Sequence, residues 1–108
     1  MNISCSQHSL ESEFANWLAK QTKNNGDNYS FYTREQYVKA LHIFPEKLPA
    51  LNLPKDVLYR LTSEEDISAV YNRMKQEKDF EELDYRYSHH TFSAAMQHYL
   101  RFIKERNN

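Results

Sequence analysis

Glycine occurs once in 108 residues, at Gly26, and the three prolines, Pro45, Pro49 and Pro54, fall within one ten-residue window. A chain of β-strands needs a turn signal about every 8–12 residues, and outside that window this chain has almost none. Val and Ile together number seven, so the β-branched runs of a βαβ unit are missing as well. Helices joined by polar connections are what remains. The expected fold is all-α: one small orthogonal or irregular bundle of four to five helices, at about 9–22, 33–44, 63–76, 79–86 and 91–105. The whole chain, 1–108, is expected to form a single helical domain with residues 1–8 as a frayed N-terminus.

Each helix rests on a periodic apolar face and a start signal. Leu10, Phe14, Trp17 and Leu18 share one face of the first, with Ser9 as its expected N-cap. Thr33 and Gln36 match a capping box for the second, and Tyr32 and Tyr37 occupy the positions of a hydrophobic staple. Tyr37, Ala40, Leu41 and Phe44 form its stripe, and Pro45 is expected to end it. Residues 45–61 carry too many leucines for a free linker, so they are expected to lie across the core with one short helical turn. Thr62-Ser63-Glu64-Glu65 reads as a capping box for the third helix, with Ile67, Val70, Tyr71 and Met74 as its stripe. Phe80 and Leu83 mark a short fourth helix. Phe92, Ala95, Met96, Tyr99, Phe102 and Ile103 give the last helix a continuous apolar stripe that belongs at the centre of the core.

Charge and composition exclude whole classes. Fourteen basic and fifteen acidic residues give a net charge of -1, so the chain as a whole is neither a basic nucleic-acid tail nor an acidic solvating tail. No apolar run approaches the roughly 20 residues of a membrane helix, so no membrane association is expected. The start has no charged head and no apolar stretch, so no signal peptide is expected. The lone Cys5 has no internal disulfide partner, which points to the cytoplasm.

Catalytic chemistry is not recommended by any motif. There is no phosphate-cradling glycine loop, no HExxH and no CxxC. Neither a cofactor nor a metal is expected: His89, His90 and His98 lack a cysteine or carboxylate set to complete a tetrahedron. The expectation is a protein that is not an enzyme.

Two surfaces remain as candidates. Ser93, Gln97, Arg101 and Lys104 recur along one polar edge of the last helix, and Gln and Arg are residue types that read base edges in a major groove. Arg34 and Lys39 on the second helix would add phosphate contacts. Tyr85, Arg86 and Tyr87 interleave aromatic and basic character in a way that suits base stacking. The other surface is acidic. Residues 62–84 hold eight acids against three bases, and Glu64, Glu65, Asp66, Glu81 and Glu82 would dock a basic partner or mimic DNA. In both cases the plain alternative is the solvated face that any amphipathic helix needs.

A longer pattern adds a resemblance. Phe14-x-x-Trp17-Leu18 is followed by Tyr32-Thr33 with Tyr37 and Leu41, Leu58-Tyr59-x-Leu61-Thr62 and Phe80-x-x-Leu83. The chain then closes with Tyr87-Ser88 and Phe92-Ser93-Ala94-Ala95-Met96-x-x-Tyr99-Leu100-x-Phe102-Ile103. This resembles the small N-terminal helical module of modular bacterial restriction endonucleases of the HNH or modification-dependent type. It is distantly similar to the core-binding domain of tyrosine recombinases. The resemblance implies a non-catalytic DNA-binding module of a restriction, defence or mobile-element system that uses the last helix. The alternative is a small interaction or inhibitor protein, encoded by a phage or mobile element, that docks on a defence nuclease through its acidic 62–84 segment.

Overall fold

The computed structural model describes residues 9–108 apart from 24, 55 and 89, and omits the side chains of 87 and 88. The expected frayed segment 1–8, Cys5, His89 and the side chains of Tyr87 and Ser88 therefore lie outside the described residues.

Among the described residues six α-helices follow one another: α1 (Glu11–Ala19), α2 (Phe31–Lys47), α3 (Val57–Arg60), α4 (Glu64–Lys75), α5 (Phe80–Ser88) and α6 (Thr91–Arg106). A 3-10 turn, Pro49–Leu51, lies between α2 and α3. No strand forms among the described residues; Thr22 and Asn28 make one isolated antiparallel bridge. The all-α expectation therefore holds. The molecule measures 39 × 32 × 18 Å, and its short dimension admits about two layers of helices some 10 Å in diameter.

The sequence of α6 explains why the bundle is organised around it. Its six predicted core residues are all buried, and the helix contacts α1, α2, α4 and α5. Phe92 stacks on Phe44 of α2, with ring centroids 4.4 Å apart and planes within 5°. Farther along, Tyr99 meets Phe14 of α1 edge-on at 5.0 Å and Tyr59 of α3 edge-on at 5.5 Å. Such offset and edge contacts suit the aromatic quadrupole. Tyr59 also ties the layers together through hydrogen bonds. Its hydroxyl donates to the Val38 carbonyl at 2.7 Å, and its own carbonyl accepts from the Leu10 amide at 2.7 Å.

Several boundaries differ from the sequence reading. The first helix is shorter than 9–22. Ser9 Oγ does accept from the Glu11 amide at 3.2 Å, but the helix ends at Ala19. There the Asn28 side-chain amide donates to the carbonyls of Gln21 at 3.0 Å and Ala19 at 3.5 Å. Those bonds satisfy carbonyls a longer helix would have used. Gly26, at φ +88°, turns the chain back so that Asn28 can reach them.

The second helix starts at Phe31, because Ser30 has extended backbone and its Oγ accepts from the Thr33 amide at 3.1 Å. The Thr33 and Gln36 pair sits one turn inside, and Tyr32 is 71% exposed, so no staple forms. Pro45 does not end this helix, which runs on to Lys47. Proline inside a helix forfeits one hydrogen bond; here both Phe44 and Pro45 are buried, and the core retains the last turn. Of the two expected starts of the third helix, Thr62 and Ser63, the cap is Ser63, whose Oγ accepts from the Asp66 amide at 3.3 Å. Residues 45–61 hold two short helical turns rather than one and do lie across the core, with Leu48, Val57, Leu58, Tyr59 and Leu61 buried.

Candidate functional site

The six residues expected to contact nucleic acid do not share one surface. Ser93 is half-buried, and its hydroxyl donates to the carboxylate of Asp84 on α5 at 2.6 Å. Gln97 and Lys104 are exposed. Arg101 donates from Nη2 to Gln21 Oε1 at 2.9 Å, has Glu105 at 4.0 Å, and covers the Trp17 ring with its guanidinium carbon 5.2 Å from the centroid. Arg34 and Lys39 line a groove with Glu11 and Ala15. On α1, Glu11 and Ala15 lie on one flank of the buried Phe14 and Leu18 stripe, while Trp17 lies on the other. Arg34 and Lys39 are therefore separated from Arg101 by the body of α1.

The acidic candidates are also divided. Glu64 and Glu65 are exposed at the start of α4, and the Asp66 amide is used in the Ser63 cap. Glu81 and Glu82 are exposed in the first turn of α5, which begins beyond the far end of α4. A twelve-residue helix, roughly 16 Å along its axis, separates the two groups. Glu82 is paired with Arg86 at 3.1 Å. Acidic residues on the first turns of both helices complement the macrodipoles. Another acid of the block, Asp84, is 3% exposed. It accepts from Ser93, lies 3.3 Å from His90 Nδ1, and its carbonyl accepts from the His90 amide at 2.8 Å.

Each described histidine near these surfaces has a structural partner. His90 turns the corner between α5 and α6 at φ +68°. His98 Nδ1 faces the Ala94 carbonyl at 2.8 Å, which places the proton on Nδ1; Nε2 then accepts from the Tyr29 hydroxyl at 2.9 Å. Tyr37 packs on the same imidazole, with centroids 5.0 Å apart, and burial, then the neighbouring Tyr29, raises its pKa. No group of three or more metal-ligating side chains is found among the described residues.

A concavity lies between α1 and α2. It has a volume of about 400 Å³ and is lined by Ala15, Val38, Phe31, His42 and the charged residues Arg34, Lys39, Glu11 and Glu35. His42 Nδ1 lies 2.6 Å from Asp56 Oδ1 and 3.6 Å from Glu11 Oε1. Asp56 is held there by a left-handed backbone at φ +58°. At one end of the groove, the first two residues of α2 are both aromatic and exposed, Phe31 by 66% and Tyr32 by 71%. Sequence reasoning missed Phe31 and treated Tyr32 as a staple. The available signal was Ser30 as an alternative cap, which moves both aromatics into the first helical turn.

These features define a small all-α bundle with an amphipathic groove and an exposed aromatic pair. The chain matches no protein-family model, no curated protein and no solved structure. Among the described residues, no helix is long and apolar enough to cross a membrane.

Proposed function

We propose that this bundle is a protein-interaction module that seats an apolar helical segment of a partner protein in the α1–α2 groove. The observation that carries this reading is the exposed Phe31 and Tyr32 pair beside a groove walled by Ala15 and Val38. Exposed aromatics next to a concave apolar surface are the residues that anchor interfaces. Laying one apolar helix face into such a groove is a recurrent recognition mode.

The polar edge of α6 supports a nucleic-acid role less well. Ser93 and Arg101 are engaged within the bundle, and Arg106 is paired with Glu13 at 3.2 Å. The acidic 62–84 surface is split between two helices and loses Asp84 to the interior. The resemblance to restriction-enzyme modules supports a defence setting, with a partner protein of that system as the occupant. The lone cysteine suits a cytoplasmic one.

The test is a displayed library of helical peptides panned on the protein. Selected peptides should lose about tenfold or more in affinity on Phe31→Ala and Tyr32→Ala, with the melting temperature unchanged because both side chains are exposed. Peptides indifferent to both substitutions, or strongly salt-dependent duplex DNA binding without any peptide binding, would remove this reading.

A further inference from the structure

The α1–α2 groove is lined by apolar and charged side chains together. The charges are not equivalent. His42 Nδ1 has two carboxylates beside it, Asp56 Oδ1 at 2.6 Å and Glu11 Oε1 at 3.6 Å. Arg34 and Lys39 form no ion pair among the described residues. Arg34 is half-buried, and its Nε–H is enclosed with no hydrogen-bond partner. The Phe31 ring faces its guanidinium, with the centroid 5.6 Å from the guanidinium carbon. Enclosed donors are nearly always satisfied in folded proteins. A guanidinium with a free Nε edge is shaped for a carboxylate, which can accept from Nε and a terminal nitrogen together.

We propose that Arg34 and Lys39 form an anion subsite inside this groove, which takes a single Asp or Glu carboxylate of the docking partner next to an apolar side chain. This rests on the docking reading above and specifies the partner's chemistry. The apolar neighbour lies against Val38, Ala15 and Phe31. Because Nε is enclosed, the guanidinium must turn on its flexible stem to present that edge to a carboxylate. Glu35 and Glu11 also line the groove and repel an extended polyanion more strongly than a single carboxylate. That charge arrangement selects an acidic side chain over a nucleic-acid backbone.

The experiment uses two small probes of the same shape, phenylacetate and phenylacetamide, titrated into the full chain and followed by NMR. The resonances read are the Arg34 Nε–Hε group and the backbone amides of residues 31–42. Phenylacetate should shift both saturably and bind roughly tenfold more tightly than the amide. The difference should vanish in Arg34→Gln, shrink in Lys39→Gln, and diminish with added salt. Equal binding of both probes would remove the anion subsite; if peptides still required Phe31, the docking reading would survive alone. No shift from either probe would also overturn the subsite. Displacement of phenylacetate by a short DNA duplex would reassign the subsite to nucleic acid and overturn the proposal.

Discussion

The Ser93 hydroxyl donates to the carboxylate of Asp84 at 2.6 Å across the corner between α5 and α6. Ser93 is in the first turn of α6, where a carboxylate complements the positive end of the macrodipole. Asp84 therefore joins two helices and serves the start of the central one. The expected cost of Asp84→Ala is about 2–3 kcal/mol, the range for losing a buried, charge-assisted hydrogen bond. Ser93→Ala should cost less, because water or His90 can still approach the carboxylate. Urea unfolding of both single variants and the double variant would show a coupling of about 1 kcal/mol. Additive effects would mean that the two side chains act independently.

Tyr59 and Tyr99 are both buried and in edge-on contact, yet their hydroxyls differ. Tyr59 donates to the Val38 carbonyl, whereas the Tyr99 hydroxyl has no hydrogen-bond partner among the described residues. Removing a satisfied hydroxyl costs a hydrogen bond and strands its acceptor; removing an unsatisfied one relieves a desolvation penalty. Tyr59→Phe should destabilise by about 1–2 kcal/mol, and Tyr99→Phe should be neutral or stabilise by up to about 1 kcal/mol. Denaturant midpoints would reveal opposite signs, and a comparable loss in both variants would contradict the assignment.

The same pair governs alkaline stability. Burial raises the pKa of both phenols above the usual value of 10.0; Glu11, Tyr99 and Asp56 add to this at Tyr59, and at Tyr99 the effect of burial exceeds the opposing pull of Arg106. The folded chain holds these protons at a pH where the unfolded chain releases them. Stability is thus fully present below about pH 10 and falls as pH rises above it. With both phenols held neutral in the fold, the slope approaches about 2.7 kcal/mol per pH unit, twice the single-site value. Unfolding free energies measured from pH 9 to 11 should show this decline. Double replacement by phenylalanine should flatten it.

The parts of the fold legible in the sequence are those written in local periodicity. Six apolar positions at three- and four-residue spacing placed the last helix at 91–105, within one residue of Thr91–Arg106. Choices between neighbouring caps were not legible, because Ser30 and Thr33 are both competent and only the loop closed by Asn28 decides between them. Pro45 obeys a local rule that tertiary burial overrides. Nothing in an eight-acid block marks Asp84 as the buried member, since that depends on how α5 meets α6 at His90. The groove is less legible still: it exists only because α1 and α2 pack side by side, residues 11 and 15 against 31–42.

Trp17 is the chain's single tryptophan, and it reports on the seam that determines whether the edge of α6 is free. Its indole N–H donates to Glu105 Oε1 at 3.3 Å, and Arg101 lies over its ring. A guanidinium held by an aromatic face, Gln21 and a carboxylate must give up those contacts to reach a phosphate. Arg101→Ala should therefore shift tryptophan emission to the red and lower stability by about 0.5–1 kcal/mol, the range for an exposed cation–π contact. It should leave DNA affinity unchanged, at a dissociation constant no tighter than about 10⁻⁴ M for a duplex at physiological salt. Fluorescence and anisotropy on the same samples test both statements. If Arg101→Ala and Lys104→Ala together weaken a measurable complex whose log–log salt slope is steep, the α6 edge is the working surface and the groove is not.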